Sequence, residues 1–144
     1  MTFGEFKNLL KGNTFGELSI PSDDGILKEL LMSAIISEIA IEVTPTVLLE
    51  QDREKAEMLY PFPLTDKFFI RKPVLVVDDS SEIDLDEVLC HAAVLFVATR
   101  FVRDEQMVNK KAELRSAAKK ILQNYMWNFY YYIQSKGICD DLSR

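Results

Sequence analysis

Six acidic side chains crowd one short stretch: Asp78, Asp79, Glu82, Asp84, Asp86 and Glu87. Clustered carboxylates are what hard divalent cations select. The spacing fails that test, because the stretch has neither the ligand ladder nor the central glycine of a calcium loop. Helix capping is the simpler role. Asp84 stands three residues before Glu87, the relation of a capping box with Asp in the Ser/Thr position, and acids at a helix start also complement its dipole. No metal and no cofactor is expected here.

His91, the only histidine, lies beside Cys90. A Cys–His pair activates a thiolate only when the side chains converge, and helical neighbours point about 100° apart. A core or interface histidine is the expected role. Without a second histidine, a nucleophile elbow or a phosphate-cradling glycine loop, the chain matches no common catalytic template. It is read as a non-enzyme.

Two other constellations concern contact. Lys111, Arg115 and Lys119 recur at i,i+4 steps, joined by Lys110 and Lys120; such a stripe meets phosphates or an acidic protein surface, or else is a solvated face. Tyr125, Trp127, Phe129, Tyr130, Tyr131 and Tyr132 then place six aromatics in eight residues. Consecutive helical positions sweep the whole circumference, so one small core cannot take them all. Tyrosine and tryptophan suit surfaces that are part apolar and part wet, so some of the six are expected to meet another chain or stay exposed; the alternative is a cluster within the chain.

The elements positioning these groups follow from apolar periodicity. Thr2 is a plausible N-cap for a short helix carrying Phe3, Phe6, Leu9 and Leu10 up to Gly12. Residues 13–25 read as an extended connection ending at an N-cap at Ser22, Asp23 or Asp24. Ile26, Leu27, Leu30, Leu31, Ala34, Ile35 and Ile39 form one face of a core helix from Asp24 to Ile41. Val43 and Thr44-Pro45 end it. Thr46 to Gln51 and Lys67 to Val77 read as strands, Asp52 to Leu59 as one or two helical turns, and Pro73 as an edge or bulge position. Two long helices follow, Asp84 to Arg103 and Asp104 to about Ser135; the first is apolar on most sides, and Gly137 is placed to stop the second.

At 144 residues, 48% hydrophobic and 28% charged, the chain is of ordinary single-domain size and composition. The fold class expected is mainly α: a bundle of about four helices with a small β-hairpin-like insertion, over residues 1–136, and a short tail over 137–144. The net charge of −6 is uneven, since residues 1–103 hold 10 Lys/Arg against 18 Asp/Glu and residues 104–144 hold 7 against 5. Overall acidity argues against wrapping nucleic acid, which needs clustered positive charge, but leaves the local stripe available. Cys90 and Cys139 form neither a C-x-x-C spacing nor a disulfide framework. The N-terminus has no signal-peptide pattern, and the run from Val88 to Thr99 is too short to span a bilayer. An intracellular site of synthesis and no membrane partner are expected.

The order of parts resembles the head-tail connector, or adaptor, proteins of tailed bacteriophages. The residues carrying the resemblance are Phe68-Phe69-Ile70-Arg71-Lys72-Pro73, Ile83-Asp84-Leu85-Asp86-Glu87-Val88-Leu89, Ala92-Ala93-Val94-Leu95-Phe96-Val97-Ala98 and the Lys/Ala/Glu-rich final helix. They cover about 75 C-terminal residues; the first 65 match in outline. The resemblance implies a virion neck protein assembled in the host cytoplasm, a homo-oligomeric ring, commonly of twelve subunits. Such a ring docks between the portal protein and tail or neck proteins and lines the channel through which DNA passes without sequence readout. The aromatics at 125–132 would then make subunit or portal contacts, and Lys111, Arg115 and Lys119 would face DNA or an acidic neighbour. The tail is shorter than the docking arms of many adaptors. The alternatives are a cytoplasmic helical binding module or assembly chaperone, and a small enzyme whose activity would depend on Cys90, His91 or an acid.

Overall fold

The computed structural model describes residues 1–13, 23–50, 58–61, 69–102 and 108–135, with side chains described over 1–12, 23–50, 70–102 and 109–126. Helix α1 spans Phe3–Asn13. Thr2 caps it as expected, its Oγ1 accepting the Glu5 N–H at 3.2 Å, and Phe3, Phe6 and Leu10 are fully buried one turn apart. Helix α2, Asp24–Ala34, starts at the Asp23 cap, whose Oδ1 accepts the Gly25 N–H at 2.9 Å.

The expected core helix continues, but not as one α-helix. A π turn over Ile35–Ile39 intervenes before the short α3, Ala40–Glu42. The extra residue, marked by the Ala40 N–H bonding Ile35 O, rotates the buried face so that Ile39, Ala40 and Val43 all turn inward. Val43 is extended and ends the helix before Pro45.

The β element is smaller than its sequence suggests and has one more strand. Thr46–Leu48 is a single 3-10 turn, so β1 is only Leu49–Glu50; β2 is Met58–Pro61 and β3 is Phe69–Arg71. All pair antiparallel in the order β1-β3-β2, with Leu49 opposite Ile70 and Pro61 opposite Phe69. Pro61 is tolerated because β2 is an edge strand. Pro73 falls beyond the sheet, which stops at Arg71. The connection over 14–22, residues 51–57, Met107, Cys139 and the 137–144 tail lie outside the described residues.

Helix α4, Glu87–Thr99, is the centre: nine of its 13 residues are buried, covered by α1, α2 and above all α5. Helix α5, Val108–Ser135, buries Leu114, Ala118, Leu122 and Tyr125 at steps of four, four and three. The two helices run antiparallel, since Tyr125 reaches Asp86 just before α4 while Arg115, like Arg100 just after α4, reaches Glu38. The result is mainly helical with a small antiparallel sheet at one side, as the sequence indicates. Among the described residues no helix is long and apolar enough to cross a membrane.

Candidate functional site

Each of the six acids that suggested a metal cluster engages a partner within the chain. Asp78 Oδ1 accepts from the Ser80 N–H at 3.0 Å and its hydroxyl at 2.7 Å, and from the Ser81 hydroxyl at 3.2 Å; the serines hold its carboxyl below the usual range. Asp79 lies 2.7 Å from Lys7 Nζ, which also reaches Asp24 at 3.2 Å. Glu82 and Glu87 flank the Met1 ammonium, and Glu87 is the main cause of that amine's rise to about 10. The 78–82 loop is stitched to α1 by Phe3 N–H to Ser81 O (2.9 Å) and Gly4 N–H to Asp79 O (3.0 Å). At Gly4 this approach is so close that a Cβ would sit 3.2 Å from the same carbonyl oxygen.

Asp84 does not cap α4. Its two oxygens take both guanidinium nitrogens of Arg71, Oδ1 accepting at 2.7 Å, and Oδ2 also accepts the Val74 N–H at 2.9 Å. Arg71 further donates to Val47 O at 2.9 Å. Burial pushes Asp84 up, but the bonds from Arg71 and Val74 outweigh it and the net shift is down. The expected capping box with Glu87 is therefore replaced by a strand-to-loop clamp. Local spacing is the same in both cases; the bidentate cation thirteen residues upstream wins because charge-assisted forks are the stronger bond.

Asp86 precedes α4 and holds a second node. Its Oδ2 accepts from the Tyr125 hydroxyl at 2.8 Å and from Thr46 Oγ1 at 2.5 Å, and its Oδ1 from the Val47 N–H at 3.2 Å. The Tyr125 oxygen in turn accepts the Thr46 N–H at 2.8 Å. Burial first, with the neighbouring Asp86 charge adding to it, drives the phenol far above its ordinary value. Tyr125, 8% exposed, is thus a core residue joining α5, the start of α4 and the 44–48 turn. This removes it from the expected contact set, because its ring and hydroxyl already face partners of its own chain.

Cys90 and His91 diverge as helical neighbours should. Cys90 is buried, its Sγ 3.6 Å from Leu85 O, while His91 is exposed. Burial pushes the thiol up to about 12, the reverse of what a nucleophile requires.

The other contact candidates lie along α5. Lys111, Arg115 and Lys119 are all exposed on one face, and Arg115 is 3.6 Å from Glu38 of the π turn. The backbone of Trp127, Phe129, Tyr130, Tyr131 and Tyr132 is helical; their side chains are outside the described residues. Because Tyr125 marks the level where α4 begins, residues 126–135 carry α5 about 15 Å past that point, at the helical rise per residue.

One surface has no counterpart in the expectations drawn from sequence. After β3 the chain runs through Val74–Val77 outside any helix or strand, with Val74, Leu75 and Val77 exposed by 68%, 66% and 75%. Lys28 Nζ holds the Val77 carbonyl at 2.7 Å. Between this run and α2 lies an open groove of about 440 Å³ with Met32, Ile36, Leu75 and Val76 as its apolar lining and Lys28 and Glu29 among its polar residues. Its sequence signal is Pro73 followed by four unbroken apolar residues: the proline interrupts a ladder, and the lack of alternation speaks against a strand with one wet face.

No protein-family model, curated protein or solved structure matches the chain. The groups resembling chemistry, the acids and the Cys–His pair, are fixed in the frame or set apart. Among the described side chains, those left facing outward are a basic helix face and an apolar strip, materials for contact.

Proposed function

We propose that the chain is a structural assembly subunit of the head-tail connector type, forming a ring between a phage portal and the tail and bordering the DNA channel. The observation carrying this reading is α5: its first half packs on α4, and its last ten residues continue about 15 Å beyond the level of Asp86 with an aromatic-rich sequence. An assembly helix needs one part fixed in its own subunit and another offered to a neighbour. Trp127, Phe129, Tyr130, Tyr131 and Tyr132 are the proposed subunit or portal contacts, without Tyr125. Lys111 and Lys119, with Arg115 shared with Glu38, are the proposed face toward DNA or an acidic neighbour, acting through charge and not base readout.

Head-to-tail contacts between unlike patches close into rings when the rotation permits. Native mass spectrometry and negative-stain microscopy of the purified protein, alone and with the portal protein of the same virion, test the reading. Closed rings, or assembly that depends on the portal, are expected; a monomer under both conditions overturns it.

The groove between α2 and the Val74–Val77 run favours a second reading, a helical binding module or assembly chaperone. Mass spectrometry of purified virions separates the two: the connector is retained in mature particles and the chaperone is not.

A further inference from the structure

The Val74–Val77 run is apolar, open and incompletely bonded. The Val74 N–H goes to Asp84, the Val77 N–H to the Ser81 hydroxyl at 3.2 Å and the Val77 carbonyl to Lys28. Among the described residues, the main-chain N–H and C=O of Leu75 and Val76 have no hydrogen-bond partner. Three of its four side chains, those of Val74, Leu75 and Val77, stand largely in solvent. Exposed segments with unpaired main chain are templates for another chain, and proteins ordinarily guard them by placing charge within them. Here charge stands only at the ends: Lys72 before Pro73 and Asp78 after Val77.

Read antiparallel to itself, the segment is complementary. With Leu75 of one copy opposite Leu75 of another, Val74 falls opposite Val76 and Lys72 opposite Asp78, twice by symmetry. Lys72 is exposed and makes no side-chain ion pair among the described residues. Asp78 is fully exposed and held ionised by Ser80 and Ser81. The arrangement meets the requirement of an isologous contact, that one patch match itself across a two-fold axis.

We infer that the Val74–Val77 run is a homodimerisation edge, at which two copies of this chain pair antiparallel about Leu75 with Lys72 of each against Asp78 of the other. Leu75 supplies main-chain bonds at the centre, the valines supply apolar cover, and the terminal charges fix the register, since a slip of one residue removes both ion pairs. The contact goes beyond the connector reading and does not depend on it. A two-fold contact closes on itself, so it is distinct from any head-to-tail contact that builds a ring.

Charge exchange tests this without portal or DNA. Lys72→Asp and Asp78→Lys each place like charges opposite one another in their own homodimer, and each should weaken self-association on the order of tenfold in sedimentation equilibrium. In a mixture of the two variants, the heterodimer sets two acids of one copy against two lysines of the other. Opposite charges then face each other at both ends, so the mixed dimer should regain wild-type affinity; this also excludes misfolding as the cause of the loss. In a Cys139→Ser background, Leu75→Cys should crosslink to itself, because directly opposed residues lie within disulfide range, whereas Val88→Cys on the exposed side of α4 should not. A wild-type protein that stays monomeric into the hundreds of micromolar overturns the inference. So does a dimer that ignores the charge exchange or fails to crosslink at Leu75.

Discussion

Tyr125→Phe is the sharpest probe of the frame, because it deletes one oxygen and leaves the ring. That oxygen donates to Asp86 at 2.8 Å and accepts the Thr46 N–H at 2.8 Å. A hydrogen bond to a carboxylate contributes about 1.5–3 kcal/mol and a neutral one about 1 kcal/mol. Asp86 keeps Thr46 Oγ1 and the Val47 N–H, so its desolvation is only partly uncovered, whereas the part-buried Thr46 N–H loses its short bond. The expected loss is about 2–3 kcal/mol.

Urea unfolding measures it, with an unchanged m-value showing that the folded and unfolded states are otherwise comparable. In a chain of 144 residues this corresponds to a fall in Tm of roughly 4–12 °C. A double-mutant cycle with Asp86→Asn then isolates the pair, for which a coupling energy of about 1 kcal/mol or more is expected. If Tyr125→Phe changes stability by less than about 0.5 kcal/mol, the range of ordinary surface substitutions, Tyr125 is not the buried link between α5 and α4, and it rejoins the proposed contact set with the other five aromatics.

Three further outcomes follow from the same frame. Asp84 has a folded pKa below its ordinary 3.8, so the unfolded chain binds the proton more readily; the stability it contributes is complete above about pH 5 and lost as pH falls through 3.8 toward the depressed folded value. Acid titration of unfolding free energy should therefore show a shallower slope for Asp84→Asn than for wild type, and equal slopes would refute the Arg71 clamp. Cys90, with its thiol raised to about 12 by burial, should resist a thiol reagent at about pH 8 in a Cys139→Ser background and react fully in urea; rapid native labelling would contradict its burial. Leu122→Ala, at a position only 1% exposed, should destabilise by about 2–5 kcal/mol, while Lys119→Ala on the exposed face should stay within about 0.5 kcal/mol; the same denaturation assay decides both.

The helices were legible in the sequence because their information is local. Phe3, Phe6 and Leu10, or Leu114 and Ala118, repeat at the helical period and are buried where that period predicts. What was not legible depends on partners distant along the chain. Asp84 has the spacing of a cap but answers to Arg71, and Tyr125 stands first in an aromatic run but answers to Asp86, 39 residues away. The π turn over Ile35–Ile39 leaves no local mark, since it serves the register of a buried face and not a propensity. Strand β2 was hidden for a similar reason: Met58–Pro61 becomes a strand only because β3 presents a free edge.

The clamp also bears on how the apolar Val74–Val77 run stays exposed. Presenting apolar residues to solvent invites the chain to rearrange and bury them, so the segment presenting them must be anchored by bonds stronger than the gain from collapse. Val74 is held by the Asp84 that also grips Arg71, and Val77 by Ser81 and Lys28, while Tyr125 on Asp86 fixes α5 at the start of α4. The acids are therefore not idle for lacking chemistry: Asp84 anchors the exposed Val74–Val77 run, and Asp86, two residues on, ties α5 to the start of α4. Removing Asp84 should accordingly loosen the Val74–Val77 run before it unfolds the bundle. Hydrogen exchange can measure that order of events: in Asp84→Asn the bonded amides of Val74 and Val77 should exchange faster by on the order of tenfold while those of α4 are unchanged, and uniform acceleration through both would mean that the clamp serves only global stability.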